Sequence, residues 1–375
     1  MKRSCTRLKT ILLCILLLAM ITLACLDIEP DTGEKPLPTP SPPTPTVVDA
    51  PPPPDIDVDV IYYEKVPTAF YHLLGKTSKQ QNFCRFTLVN QGTEPLTLKI
   101  TSEIEGFTEQ AVDTFDLGAG ETIQVEQTPI MKAGARDQLN EGQVASFHYK
   151  VTYLYNGEEK LIEEHSITVD MMSKRDLVVA IVDPDGELVG DFREYVVAWV
   201  TPASSSIEKM LRQATEYMPS EAIYGYQGGE QGVLPQLAAV YRVINDVYRI
   251  RYVSTPVSLA RTDQTFVQRV RLPAETISQK AGNCIETAAL YAAAIEAMDM
   301  NPLIVLVPGH AFVACETNDG SNQYIFIETT VLGEGYTFED ALAAGQSNWA
   351  KFQGQTILID VRHWRTKGIK PMPED

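Results

Sequence analysis

The sequence predicts two folded regions in series, an antiparallel β-sandwich and then an α+β domain, carried behind an N-terminal export segment. Three observations predict this. Apolar residues between about Asp57 and Val169 recur with a period of two, helical stripes alternate with strand patterns beyond about Arg175, and a proline-rich stretch separates the first folded region from an apolar leader. The boundaries are 1–24 for the export signal, 25–54 for an anchor candidate and stalk, 55–172 for the sandwich and 173–375 for the α+β domain. At 375 residues and 44% hydrophobic content, the chain can bury a core in each of two domains. The formal net charge of −18 disfavours a nucleic-acid partner, because phosphate binding relies on clustered basic side chains.

The leader opens "MKRSCTRLK", with Lys2, Arg3, Arg7 and Lys9 and no acid, and its apolar run from Thr10 to Ala24 is short for a transmembrane helix. This composition is that of an export signal. It closes "ITLAC", and Leu23-Ala24 before Cys25 resembles the site at which envelope lipoproteins are cleaved and lipidated on a new N-terminal cysteine, with Thr22 where that pattern prefers Leu. Cys25 is therefore the candidate for lipidation, and a signal anchor or an ordinary cleaved signal are the alternatives. Removing the four leader cations takes the net charge from −18 to −22. Residues 30–54 hold eleven of the 24 prolines, which favours an extended polyproline spacer between membrane and domain.

Of six cysteines, only Cys84, Cys284 and Cys315 fall in folded sequence, too few for a disulfide framework, although Cys284 and Cys315 could form one pair. In the first region "FHYKVTYLYNG" places Phe147, Tyr149, Val151, Tyr153 and Tyr155 on one face and ends in the hairpin dipeptide Asn156-Gly157. "FCRFTLVNQGTEPLTLKI" repeats the strand–turn–strand plan, with Leu96, Leu98 and Ile100 on one side. Short strands punctuated by Gly, Asn and Pro read as a small sandwich of immunoglobulin-like type. His72, His148 and His165 are isolated, so no metal site is expected there, and Cys84 reads as a buried apolar residue.

In the second region "SSSIEKMLRQATEYM" gives a helix capped by Ser205 or Ser206, and "VLPQLAAVYRVINDVY" a second. The intervening "YGYQGGEQG" lacks the Lys-Ser/Thr ending of a phosphate loop and reads as a mobile connection bordering the site. The chemistry-bearing stretch is "AGNCIETAALYAAAIEA". Asn283 is a helix cap, with Glu286 three residues on to complete a capping box, so Cys284 opens the helix. There the unpaired backbone amides and the helix dipole favour an anion, the setting in which a reactive thiolate forms. Ile285, Ala288, Ala289, Ala292 and Ile295 give the helix a buried face. Glu275, Glu286 and Glu296 read as caps and solvated charges, and His363 has no evident partner.

A thiolate needs a base, and "LIVLVPGHAFVACE" supplies His310 at the start of a strand, with Cys315 on its opposite, core face. The next strand is "QYIFIETT". A three-residue Asn318-Asp319-Gly320 loop would pair Thr317 with Ser321 and set His310 opposite Glu328, whereas a two-residue turn would turn Glu328 to the other face.

The ordered motifs "GNC", "GHAF" and "ETT" over roughly residues 190–375 resemble the transglutaminase-like superfamily, which is papain-related in fold. The resemblance implies a triad of Cys284 as nucleophile, His310 as base and acid, and Glu328, where the family more often shows Asp, as the orienter of His310. It implies cysteine-dependent acyl transfer on peptide or amide substrates at the cell surface, by hydrolysis or cross-linking, with no cofactor and no metal. The Cys284 amide would be an oxyanion donor. The rival expectation is a non-catalytic envelope protein that binds a partner through the same cleft.

Overall fold

The computed structural model describes residues 2–4, 54–77, 81–182, 185–254, 259–262, 265–333 and 335–373. Apart from residues 2–4, the leader, Cys25 and the stalk to Pro53 lie outside the described residues. Among the described residues, no helix is long and apolar enough to cross a membrane.

Two antiparallel sheets face each other in the first region. One runs Lys2–Ser4, Ile56–Tyr62, Cys84–Asn90 and Thr122–Gln127, each strand bonded to the next. The other has the order Lys65–Val66, Glu158–Met171, Gln143–Tyr155, Leu96–Ile104 and Ala111–Leu117, its first strand joining parallel. Alternation decides which residues meet between them. Cys84, Phe86 and Leu88 point inward from one sheet, and Leu98, Ile100, Phe147, Tyr149 and Val151 from the other. Aromatic rings bridge the layers, with Phe83 edge-on to Phe147 at 4.9 Å and Phe86 edge-on to Tyr149 at 5.4 Å. The long hairpin of this region turns on Asn156 and Gly157, whose φ values of 51° and 79° are those a two-residue primed turn needs.

The second region is mixed α/β. A four-stranded antiparallel sheet, in the order Leu188–Asp191, Asp176–Val182, Thr265–Arg269 and Leu259–Thr262, borders the first region. A second antiparallel sheet has the order Tyr324–Ile327, His310–Glu316, Pro302–Val307 and Ile357–Asp360. The helix Cys284–Ala297 packs on its central strands, flanked by the helices Ser205–Thr215, Glu230–Arg242 and Pro273–Gln279. The sequence stripe on this central helix understates its burial. Every residue from Ile285 to Ile295 is buried, because alanines at 288, 289, 292, 293 and 294 let neighbours approach from all sides.

Two local expectations are corrected. Ser204, not Ser205 or Ser206, caps the helix Ser205–Thr215, accepting from the Ile207 amide at 3.4 Å. The glycine-rich segment is not a loose connection beside the site. The fully buried Gln236 carboxamide accepts from the amides of Tyr224 and Gly225, both at 2.8 Å, and donates to the carbonyls of Gly225 and Gly232, both at 2.9 Å. Gly225 has φ +55°, and a Cβ there would fall 2.3 Å from the Met298 carbonyl oxygen, so only glycine fits. Gln236→Leu strands these buried groups and is expected to lower unfolding stability by about 2–4 kcal/mol, which urea denaturation followed by circular dichroism measures.

Candidate active site

The cysteine is placed by the turn that precedes its helix. Asn283 Oδ1 accepts from the Glu286 amide at 3.1 Å, and Glu286 Oε2 accepts from the Asn283 amide at 2.9 Å, closing a reciprocal cap. Gly282 makes room for the turn, since a Cβ there would lie 3.0 Å from the methyl groups of both Thr276 and Thr287. Cys284 is partly exposed, and as the first helical residue its N–H has no intrahelical acceptor. It carries no disulfide: Cys84, Cys284 and Cys315 are all free.

His310 starts its strand immediately after the two-residue turn Pro308-Gly309, where Gly309 has φ +72° and Val307 pairs with His310. Its ring stacks on the buried Phe312 at 5.9 Å. The ring lines the same cleft as the Cys284 thiol, and its Nε2 lies 2.8 Å from Glu328 Oε2. With Nε2 committed to the carboxylate, Nδ1 is the nitrogen left for sulfur.

The strand register differs from expectation, and the difference is informative. Val313 pairs with Ile327 and Glu316 with Tyr324, and the Thr317 amide donates to the Gln323 carbonyl at 2.8 Å. The connection therefore spans Asn318 to Asn322, not three residues, and His310 does not stand directly opposite Glu328. The longer loop is fixed by Glu316, whose carboxylate accepts from the Asn322 amide at 2.8 Å, and by positive φ at Gly320 and Asn322. A shift of two residues preserves side-chain parity. Glu328 stays on the His310 face, one step past the end of its strand, and reaches the imidazole diagonally.

Glu328 is buried, with 3% of its surface exposed, and is held at both oxygens. Oε1 accepts from the Thr330 amide at 2.9 Å and hydroxyl at 2.7 Å, while Oε2 accepts from Asn348 Nδ2 at 2.7 Å. Burial opposes the carboxylate charge, but His310 and then Thr330 outweigh it and hold the carboxyl below its ordinary range. Burial likewise disfavours the imidazolium of His310, yet the neighbouring Cys284 and Glu328 prevail and push it up to about 9.

Cys284 and His310 border a cleft of about 360 Å³ between the two sheets of the second region, with Glu328 buried behind the imidazole. Val179, Ile285, Leu306, Val307 and Ile357 make its walls largely apolar, and Gln268 and Gln355 add carboxamides. Among the described residues Arg193 is its one cation besides His310, and Asp191 pairs with that guanidinium through both oxygens. Hollows of about 400 Å³ beside Arg269 and about 490 Å³ beside Tyr336 contain none of the three residues.

Other candidate residues fall away from this site. His148 sits 3.3 Å from Glu105 and His165 3.8 Å from Glu163, both on the first region, and His363 packs edge-on to Trp364. Among the described residues, no three His, Cys, Asp or Glu side chains are grouped to hold a metal ion. Glu286, Glu275 and Glu296 are not simply solvated: Glu286 is 3% exposed and paired with Arg271, Glu275 pairs with Arg175, and Glu296 with Arg365 at 2.8 Å. Sequence reasoning missed Thr330, Asn348 and Arg271. Thr330 lies within the quoted "ETT", whereas Asn348 and Arg271 carry no local signal, being 20 residues from Glu328 and 15 from Glu286 respectively.

No family model and no curated protein matches the chain.

Cys84 and Cys315 are buried at 1% and 0% exposure, and burial pushes both thiols up, Cys315 to about 12. In the native protein iodoacetamide near neutral pH is expected to modify Cys284 at least about tenfold faster than either, with all three converging after denaturation. Peptide mapping by mass spectrometry reads the rates, and uniform slow labelling would remove Cys284 as a nucleophile.

Proposed function

We propose that the protein is an exported cysteine-dependent acyl-transfer enzyme, a peptide or amide hydrolase or a transglutaminase-type enzyme, using Cys284, His310 and Glu328. The observation that carries this reading is the 2.8 Å contact of the His310 ring with the Glu328 carboxylate, made where His310 and Cys284 line the same open cleft. The resemblance of "GNC", "GHAF" and "ETT" to the transglutaminase-like superfamily supports the same assignment, with an immunoglobulin-like sandwich ahead of the catalytic domain.

The chemistry follows from the roles. The Cys284 thiolate attacks the carbonyl carbon of an amide, and the electron pair moves to the carbonyl oxygen. The Cys284 amide is the backbone donor for that oxyanion, and the Gln268 and Gln355 carboxamides line the same cleft. Collapse breaks the C–N bond as His310 gives its proton to the leaving amine, leaving a thioester on Cys284. Water or a second amine then attacks the thioester, His310 takes the proton, and the thiolate departs. Glu328 holds the imidazole in one tautomer and favours its charged form throughout.

The sign of the pH dependence is fixed by this pair. His310 must carry its proton to donate it, so activity falls as pH rises through about 9. Glu328→Gln removes the charge that raises the imidazole. The alkaline limb of the turnover profile is expected to move down by about one pH unit, a tenfold loss of imidazolium at a given pH above the limb. His310→Ala is expected to cut labelling of Cys284 near neutral pH about tenfold, as the thiolate fraction falls toward that of an ordinary thiol. A thiol-reactive probe read in wild type, Cys284→Ala and His310→Ala, and the pH profile of peptide-amide turnover read in wild type and Glu328→Gln, test the mechanism; an alkaline limb unmoved in Glu328→Gln would remove Glu328 from it.

The same proposal places the enzyme at the membrane surface, with Cys25 lipidated and the proline-rich stalk as spacer, acting on a peptide or protein substrate there. Cys25→Ala is expected to shift the protein from the membrane fraction to the soluble exported fraction. Immunoblotting of fractionated cells measures this, and retention with an intact leader would point to a signal anchor.

A further inference from the structure

The turn that aims Cys284 contains a buried carboxylate. Glu286 accepts four hydrogen bonds: Oε1 from the Arg271 amide and Arg271 Nε, each at 2.9 Å, and Oε2 from Arg271 Nη2 at 2.7 Å and the Asn283 amide at 2.9 Å. Arg271 is held from its other side by Gln279 Oε1. One guanidinium and its own backbone amide thus supply three of the four donors to a carboxylate that is 3% exposed.

This arrangement resolves a conflict at the helix end. The positive end of the dipole favours an anion, and the turn offers two candidates, Glu286 and the Cys284 sulfur. An unneutralised Glu286 would oppose a thiolate in the same turn. Bound to Arg271 it forms a neutral pair, and its second oxygen still closes the cap on Asn283. The other charged groups on the sulfur's side are His310 from the neighbouring strand, Glu328 beyond it, and Arg193 with Asp191 across the cleft; Glu275 of the helix Pro273–Gln279, paired with Arg175, acts on Arg271.

We propose that Arg271 is a positioning residue for the nucleophile. By chelating Glu286 it fixes the capping turn that aims Cys284 at His310 and offsets the competing negative charge, so that the anion favoured at the helix end is the thiolate. The inference rests on the reading of Cys284 as the nucleophile. Arg271 touches no substrate and acts through Glu286.

The test is the pH profile of Cys284 alkylation by iodoacetamide in the full chain. Arg271→Gln is expected to move the acid midpoint to higher pH by about half a unit or more, with about threefold slower labelling below it. Glu286→Gln, which leaves Arg271 unopposed, is expected to move it the other way. Arg271→Lys should hold the midpoint near wild type, and Arg271→Gln combined with Glu286→Gln should return it toward wild type. Opposite signs in the two single variants are what a merely structural role would not give. Midpoints that do not move, or that move together, overturn the proposal while leaving Cys284 as nucleophile. Where Arg271→Gln does not fold, the direction of the Glu286→Gln shift decides. If Cys284 in wild type labels no faster than Cys84 and Cys315 at any pH, the parent reading fails instead.

Discussion

The candidate site depends on one constraint: a helix buried on every side must begin in the open. Ile285 to Ile295 are enclosed, so the helix Cys284–Ala297 cannot shift or rotate without opening contacts all round. Only its first two residues, Cys284 and Ile285, line the cleft. The rigidity of the alanine-rich middle is thus passed to the sulfur at its end, and the cap formed by Asn283 and Glu286 fixes where that end begins.

The sheet beside the helix imposes the second constraint. His310 and Glu328 come from adjacent antiparallel strands, and the period of two decides whether they share a face. A connection from Asn318 to Asn322 moves the register by two from the tighter pairing, and the shared face survives. A shift of one would have sent Glu328 into the other layer. Because Glu328 lies just past the ladder, its orientation is set by Thr330 and Asn348 and not by strand pairing. A longer carboxylate arm, reaching diagonally, suits that placement.

Charge is balanced locally at the site, although the chain as a whole carries −18. Glu328 faces His310, Glu286 faces Arg271, and Asp191 faces Arg193. The cleft walls between these pairs are mostly apolar, which keeps the interactions in a setting where water screens them less. A second tie runs behind the nucleophile: Thr287 and Thr329, both fully buried, place their hydroxyl oxygens 2.9 Å apart and join the cysteine helix to the loop that carries Glu328.

What the sequence determined is local. Asn283 and Glu286 announce a capped start three residues apart, Pro308-Gly309 announces a turn before His310, and Asn156-Gly157 a tight hairpin, because these depend on backbone conformations that particular residues favour. The period-two pattern likewise marked Phe147, Tyr149 and Val151 as one buried face. What only the tertiary structure decided is which distant groups meet. The length of the loop after Thr317 depends on Glu316 reaching the Asn322 amide, the Gln236 clamp turns a glycine-rich stretch into a fixed one, and Arg271 reaches Glu286 across an intervening helix. Long side chains and long-range hydrogen bonds leave no periodic trace in a sequence, since their partners are chosen by how the elements pack. The sequence could therefore name the residues of the candidate site, while the register that brings His310 to Glu328, and the groups that hold both, came from the packed fold.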